Sequence, residues 1–254
     1  MWDSLRGQTV VITGAGVGIG MGRELSLEFA EAGANLVLNY FLDDEVKMLE
    51  FVQELEHFGV QVALVSGDVS LEDTSQRIVS TALDKFGTID VLVNNAGIST
   101  PTRLVDMSRN TWQRMLDVNL TGVFLPTRAV IPTMQKQRFG RVISIASQVG
   151  QIGSIEHAHY SAAKAGVIGF TKSVAREVGE DGITVNCVAP GPVQTRLMGE
   201  VSEDWRDAKL EDLVIPRFGT PEEIVPSVLL LASSPAGNLY TGQTLGPNSG
   251  DVML

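Results

Sequence analysis

The chain has a single cysteine, Cys187, so no internal disulfide can form. Its apolar neighbours Val185, Val188 and Ala189 read it as a small core residue, not a nucleophile. Basic residues are scarce as well: 19 Lys and Arg stand against 30 Asp and Glu, a net charge of -11. Such a surface repels phosphate backbones and anionic lipid, so neither nucleic acid nor membrane is an expected partner, and small molecules are. Long hydrophobic runs are missing too. The longest, Val228 to Ala232, is far short of a bilayer span, and Met1 to Arg6 has no apolar core of signal-peptide length. A cytoplasmic protein is expected. Histidines number three; His157 and His159 have no third ligand at a recognisable spacing and His57 is distant, so no metal site is expected. What remains is ordinary: 254 residues, 44% apolar and 19% charged, read as one globular domain over 1–254.

Short β-rich runs alternate with amphipathic stretches along the whole length. Strands are predicted at Thr9–Thr13, Asn35–Tyr40, Gln61–Ser66, Asp90–Asn94, Arg141–Ile145, Thr184–Val188 and Gln243–Leu245. Between them, helices are predicted at about Gly22–Ala32, Asp43–Phe58, Leu71–Phe86, a long stretch Thr111–Gln137, Tyr160 to about Val178, and Pro221–Ala232. This alternation calls for an α/β fold with a doubly wound, parallel, seven-stranded sheet flanked by helices. The one long irregular stretch, Gln194 to Thr220, is expected to be a lid over the substrate.

In such sheets ligands sit beyond the carboxyl ends of the strands. The polar and glycine-rich clusters fall on that edge: Thr13-Gly14, Asp68-Val69, Asn94-Asn95-Ala96-Gly97, Ser147 and Pro190-Gly191-Pro192. The first strand runs into Gly14-Ala15-Gly16-Val17-Gly18-Ile19-Gly20-Met21-Gly22 and then a helix, the arrangement that cradles a pyrophosphate. Tyr160 and Lys164, four residues apart, share one helical face. By default that pair is a surface contact. A fixed cation near a phenol, whose ordinary pKa is about 10, would instead favour the phenolate and make a general acid/base.

These motifs together, in this order, resemble the short-chain dehydrogenases/reductases, and the likeness runs from about Thr9 to Leu245. The relatives it looks most like are 3-oxoacyl-[acyl-carrier-protein] reductases and bacterial glucose dehydrogenases. The resemblance implies a single-domain Rossmann fold, NAD or NADP as cofactor, hydride transfer between nicotinamide and a carbonyl or alcohol carbon, and a homotetramer. It implies Tyr160 as the acid/base, Lys164 as the residue lowering its pKa and holding the nicotinamide ribose, Ser147 as donor to the substrate oxygen, and Asn119 as holder of a relay water. Taken singly, Ser147 and Asn119 would pass for residues satisfying nearby backbone. For the cofactor it implies Gly14, Gly18, Ile19 and Gly20 at the pyrophosphate, Tyr40 near the adenine ribose, Asp68 and Val69 at the adenine, and Asn95, Ala96 and Gly97 toward the nicotinamide. Tyr160 and Lys164 reach the same ribose, and Pro190, Val193 and Thr195 close over the carboxamide and pyrophosphate. Asp68 would equally serve as a helix N-cap.

The chain departs from the family pattern in four places. The family's Thr-Gly-x-x-x-Gly-x-Gly matches literally at Gly14, Gly18 and Gly20, but the helix aligns better with Gly20 and Gly22 in the last two places, which enlarges the turn around Gly16–Ile19. Tyr40 stands where an acid would bind the NAD ribose, and Arg23 is the one nearby candidate for an NADP phosphate; Asp43 and Asp44 could bind ribose or cap a helix. The missing acid leans the reading to NADP. Pro132 replaces a carrier-docking arginine while Arg176 is kept, which with the -11 charge favours a small ketone, alcohol or modest acyl thioester over carrier-bound substrate. Asn248-Ser249-Gly250 stands in place of a closing Asp-Gly-Gly. Competing readings are a non-catalytic nucleotide-binding scaffold, a carrier-linked 3-oxoacyl reductase, and a sugar-nucleotide epimerase or dehydratase, which would need a larger substrate domain.

Overall fold

A computed structural model describes residues 2–18, 20–42, 45–195 and 203–253. In chain order the elements are β1 (Thr9–Ile12), α1 (Met21–Glu31), β2 (Asn35–Tyr40), α2 (Glu45–Glu56), β3 (Val62–Ser66), α3 (Glu72–Phe86), β4 (Val91–Asn94), α4 (Arg109–Leu116), a π-helical turn (Asp117–Thr121), α5 (Gly122–Gln137), β5 (Gly140–Ile145), α6 (Val149–Ile152), α7 (Ala158–Val178), β6 (Ile183–Val188), α8 (Glu203–Asp212), α9 (Pro221–Ala232) and β7 (Thr244–Leu245). The strands form one sheet in the order β3-β2-β1-β4-β5-β6-β7, and every pairing is parallel.

A parallel sheet is covered on both faces, so its strands carry runs of consecutive apolar residues rather than alternating. β1 shows this: Val10 and Ile12 enter the cluster built with Leu25 and Phe29 of α1, Met48 of α2 and Val228 of α9, whereas Val11 enters the one built with Ile78 of α3, Val130 of α5 and Val178 of α7. β1 pairs with both β2 and β4, through Val10↔Leu36 and Val10↔Val91. The direction of winding reverses between β1 and β4, which opens a crevice beyond their carboxyl ends.

Local signals set the helix boundaries. α3 stops at Gly87, whose φ of 76° lets its N–H return to the Leu83 carbonyl. α9 starts with a capping box between Thr220 and Glu223 and carries Pro221 in its first turn.

The predicted continuous helix 111–137 instead begins at Arg109 and is interrupted by the π-helical turn at Asp117–Thr121. The stretch expected to be irregular, 194–220, holds α8; its sequence is mostly charged and carries no apolar stripe, so periodicity misses it. Residues 196–202 of that stretch lie outside the described residues, as do Ile19, Asp43 and Asp44. No helix among the described residues is long and apolar enough to cross a membrane.

Candidate active site

The turn after β1 is drawn tightly against the end of β4. Gly14 has a φ of 66°, and a Cβ on it would lie 2.6 Å from the Ala96 Cα. The Asn95 amide donates to the carbonyls of Thr13 and Gly14, both at 3.0 Å, and the Thr13 hydroxyl accepts from the Asn95 and Ala96 amides. Asn95 thus clamps the glycine turn. α1 starts at Met21 with Gly20 as its N-cap, and a Cβ on Gly22 would fall 2.2 Å from the Gly14 carbonyl oxygen. Gly22 is therefore the glycine the close helix–turn approach requires, whereas a Cβ on Gly20 meets nothing within 4 Å. That is the register with Gly20 and Gly22 in the last two places and two extra residues in the loop. These elements fit a dinucleotide: Gly14 and Gly22 leave no room for a side chain where the turn meets β4 and α1, and the first turn of α1 has N–H groups without helical partners.

At the adenine end, Asp68 accepts from the amide and hydroxyl of Ser70 at 2.9 and 2.7 Å and pairs with Arg114 of α4 at 2.7 Å. Burial alone would raise its pKa, but the Ser70 hydrogen bonds and the Arg114 guanidinium outweigh it and hold the carboxyl below its ordinary value. Sequence gives no hint of Arg114. Tyr40 is buried, 7% exposed, in the apolar cluster that includes Met48 and Phe51, so little of its ring is left to meet a ribose. Arg23, the candidate for an NADP phosphate, is paired with Glu54 at 2.7 Å and lies over the Phe51 ring at 4.6 Å.

Tyr160 lies in the first turn of the 21-residue helix α7 and Lys164 one turn later; both are buried, and the Lys164 Nζ sits 5.7 Å from the phenol ring centroid. Lys164 donates to the Ile145 carbonyl at 2.6 Å. Ser147, just past β5, accepts from the Val149 amide at 3.2 Å, and its hydroxyl pulls the pKa of the neighbouring phenol down. A Cβ on Gly97 would lie 2.8 Å from the Asn119 Oδ1 and 3.8 Å from the Lys164 Nζ, so Gly97, Asn119 and Lys164 meet. The π-helical turn carries Asn119 inward, where its amide donates to the carbonyls of Ile98 at 3.0 Å and Met115 at 3.1 Å and its oxygen accepts from the Ile98 amide at 3.3 Å. Its side chain is spent on backbone, as a structural asparagine's would be.

The expected lowering of the phenol pKa is not what this structure holds. Burial pushes Tyr160 up to about 12, against a downward pull from the Ser147 hydroxyl. Burial also brings Lys164 down to about 8. Both shifts have one cause, loss of water around a charge.

Toward the other rim, Pro190 accepts from the Gln148 amide at 3.1 Å, Val193 forms a bridge with Gly219, and Thr195 is half-buried. The His157 ring meets Tyr160 edge-on at 6.0 Å. His159 is fully buried and neither ring nitrogen has a hydrogen bond of good geometry. Burial, then the neighbouring His157, hold its pKa below the ordinary value, with a Thr100 backbone group pulling weakly the other way. The unfolded chain therefore takes up this proton first as pH falls. Stability is unaffected above about pH 7 and lost through the ordinary imidazole range near 6.5, by at most ~1.4 kcal/mol per pH unit. Between pH 7 and 5.5 the wild-type Tm should fall about 2–4 °C further than that of His159→Asn in a calorimetric scan; equal falls would rule this out.

Residues 8–206 match the family model described as short chain dehydrogenase. The chain belongs to the short-chain dehydrogenase family. It is 42% identical over 251 residues to a 3-oxoacyl-[acyl-carrier-protein] reductase of Synechocystis sp., covering 99% of both chains. Proteins of the same printed name from Staphylococcus epidermidis and Staphylococcus aureus are 39% and 38% identical over 246 residues, covering 97% of this chain and 99% and 98% of theirs. This short-chain dehydrogenase is thus an NAD(P)-dependent oxidoreductase of the C=O/CH–OH class. Its crevice at the β1–β4 switch and the Tyr160–Lys164 helix lie on the same sheet edge.

Proposed function

We propose that the protein reduces a ketone to a secondary alcohol, with Tyr160 as the proton donor. The observation that carries this is the convergence of the Ser147 hydroxyl, the Tyr160 phenol and the Lys164 ammonium at the end of β5, beside the glycine turn. Bound NAD(P)H would supply a hydride to the carbonyl carbon. As the carbonyl oxygen gains negative charge, Ser147 donates a hydrogen bond to it and Tyr160 transfers its phenolic proton, leaving a neutral alcohol. Lys164, with one proton held by the Ile145 carbonyl, has two left for ribose hydroxyls and for stabilising the tyrosinate. Gly14, Gly22 and the start of α1 would hold the pyrophosphate, and Asp68, fixed by Arg114, the adenine side. Reprotonation of Tyr160 would pass by way of Lys164 and a water near Asn119.

The substrate proposed is a small ketone or an acyl thioester of modest size. Pro132 is exposed on α5 where an arginine would dock a carrier, and the net charge of -11 opposes an acidic partner. A second reading, reduction of carrier-bound 3-oxoacyl chains, is favoured by the printed names of the relatives and by exposed Arg176. NADP is the cofactor proposed, since Tyr40 presents no acid to repel its phosphate; use of that phosphate would draw Arg23 away from Glu54. The assembly proposed is a homotetramer, supported by the open outer edge of β7 and by exposed Leu239 and Phe124. The test is a panel of small ketones, 3-oxoacyl thioesters and their carrier-bound forms, read at the nicotinamide band with each cofactor, on protein sized by sedimentation. Faster turnover of free ketones or thioesters with NADPH is expected. Preference for carrier-bound chains selects the second reading, and no turnover of any carbonyl rejects the proposal.

A further inference from the structure

Three separate stretches of chain meet on one carboxylate, that of Asp251 near the C-terminus. Its side chain is 6% exposed, and Oδ2 both accepts from the Gln148 side-chain amide and lies 2.6 Å from the Lys209 ammonium. Gln148 is the residue directly after Ser147. It is itself buried; its backbone amide donates to the Pro190 carbonyl at 3.1 Å, and its carbonyl accepts from the Gln151 and Ile152 amides at 2.8 and 3.1 Å. Lys209 belongs to α8, which is followed by buried Leu213 and Phe218.

The segment carrying Asp251 is held firmly. Asn248 donates to the Val252 carbonyl at 2.9 Å and accepts from the Gly250 amide at 3.0 Å, and the Ile215 amide donates to the Ser249 carbonyl at 2.9 Å. Gly191 packs against it so closely that a Cβ there would lie 2.7 Å from the Asn248 Cα. A carboxylate removed from water this far needs its partners, and loss of one leaves the rest buried without compensation. Gln148 has no slack either: its side-chain oxygen is buried without a hydrogen bond.

We propose that Asp251 is a positioning residue that ties the Ser147 turn to α8, so that the placing of the Ser147 hydroxyl depends on Lys209 being seated. The catalytic half of this rests on the reaction proposed above; the mechanical half does not. The experiment is hydrogen exchange read by mass spectrometry on the full chain, with steady-state kinetics on the best small ketone, for Asp251→Asn, Lys209→Met and Lys209→Arg. Lys209→Met is expected to raise exchange about tenfold or more in α8 and equally in the peptide 147–153, which it does not touch, and to lower kcat about tenfold with the KM for NAD(P)H unchanged. Lys209→Arg should restore both, and Asp251→Asn should reproduce the Met variant. Should Asp251→Asn fail to fold, the two lysine variants decide alone. Faster exchange confined to α8, or an unchanged kcat in Lys209→Met, overturns the proposal. A wild-type protein that turns over no carbonyl defeats the reaction instead, and the exchange pattern of 147–153 still decides the tie.

Discussion

Tyr160→Phe is expected to lower carbonyl reduction by about a hundred- to ten-thousandfold, the range a positioned proton donor supplies. The substitution removes one buried oxygen. The phenol's partner Ser147 keeps its bond from the Val149 amide, and Lys164 keeps the Ile145 carbonyl, so the fold should lose no more than ~1 kcal/mol. Cofactor affinity, measured by nicotinamide fluorescence, should change little. With the phenol at about 12, the acid form is fully present at neutral pH and reduction needs no prior protonation. The ammonium of Lys164, brought to about 8, is present below that pH and lost above it, so reduction should decline as pH rises past about 8. Alcohol oxidation needs the tyrosinate and should gain up to about tenfold per pH unit from neutral pH until Lys164 loses its charge. A Phe variant keeping more than a tenth of wild-type activity would sink the assignment.

Gly150→Ala should cost nearly as much without touching a reacting group. A Cβ at this position would fall 2.7 Å from the carbonyl carbon of Lys164 and 2.8 Å from the amide nitrogen of Ala165. Both are backbone atoms of a 21-residue helix and cannot step aside, so α6 must move. Because α6 starts two residues after Ser147, its displacement separates the serine from the Tyr160–Lys164 face. A shift of about 1 Å costs on the order of a hundredfold in kcat. Overpacking adds roughly 1–3 kcal/mol of destabilisation, which at about 2–4 °C per kcal/mol lowers Tm by several degrees. Gly169→Ala, on an exposed turn of the same helix with nothing within 4 Å of the new methyl, is the control and should leave kcat unchanged while stabilising the helix by ~0.5–1 kcal/mol. Activity of Gly150→Ala within twofold of wild type would contradict this reading.

The strands could be read directly because β1, β2 and β4 each carry an unbroken apolar run, Val10–Ile12, Leu36–Leu38 and Val91–Val93, as interior parallel strands covered on both faces do. The pairing of Tyr160 with Lys164 could be read because both lie on one helix, and the position of Ser147 because it directly follows β5. Other features depend on distance in space. Gln148 and Asp251 are 103 residues apart, and neither they nor Arg114 opposite Asp68 carry a local signal. The π-helical turn at Asn119 leaves no periodicity, and α8 has charge where an amphipathic helix would have an apolar stripe. The phenol pKa differs from the sequence expectation for a related reason: the cation beside it is visible as sequence spacing, whereas the dehydration that pushes it up is a property of the assembled core.

The strand order also governs how the chain can fold. β1 is an interior strand between β2 and β4, and its Val10 pairs with Val91 of β4, a strand made only after two complete strand–helix units have followed. Until β4 exists, one edge of this fully buried strand is an open row of amides and carbonyls, with its apolar faces partly uncovered. Sheets of this topology close long loops before any pairing repays the entropy, so they form slowly and pass through species with exposed edges. For a nascent copy of this protein, the time between synthesis of Ile12 and synthesis of Asn94 is therefore when association with other chains competes most strongly with folding.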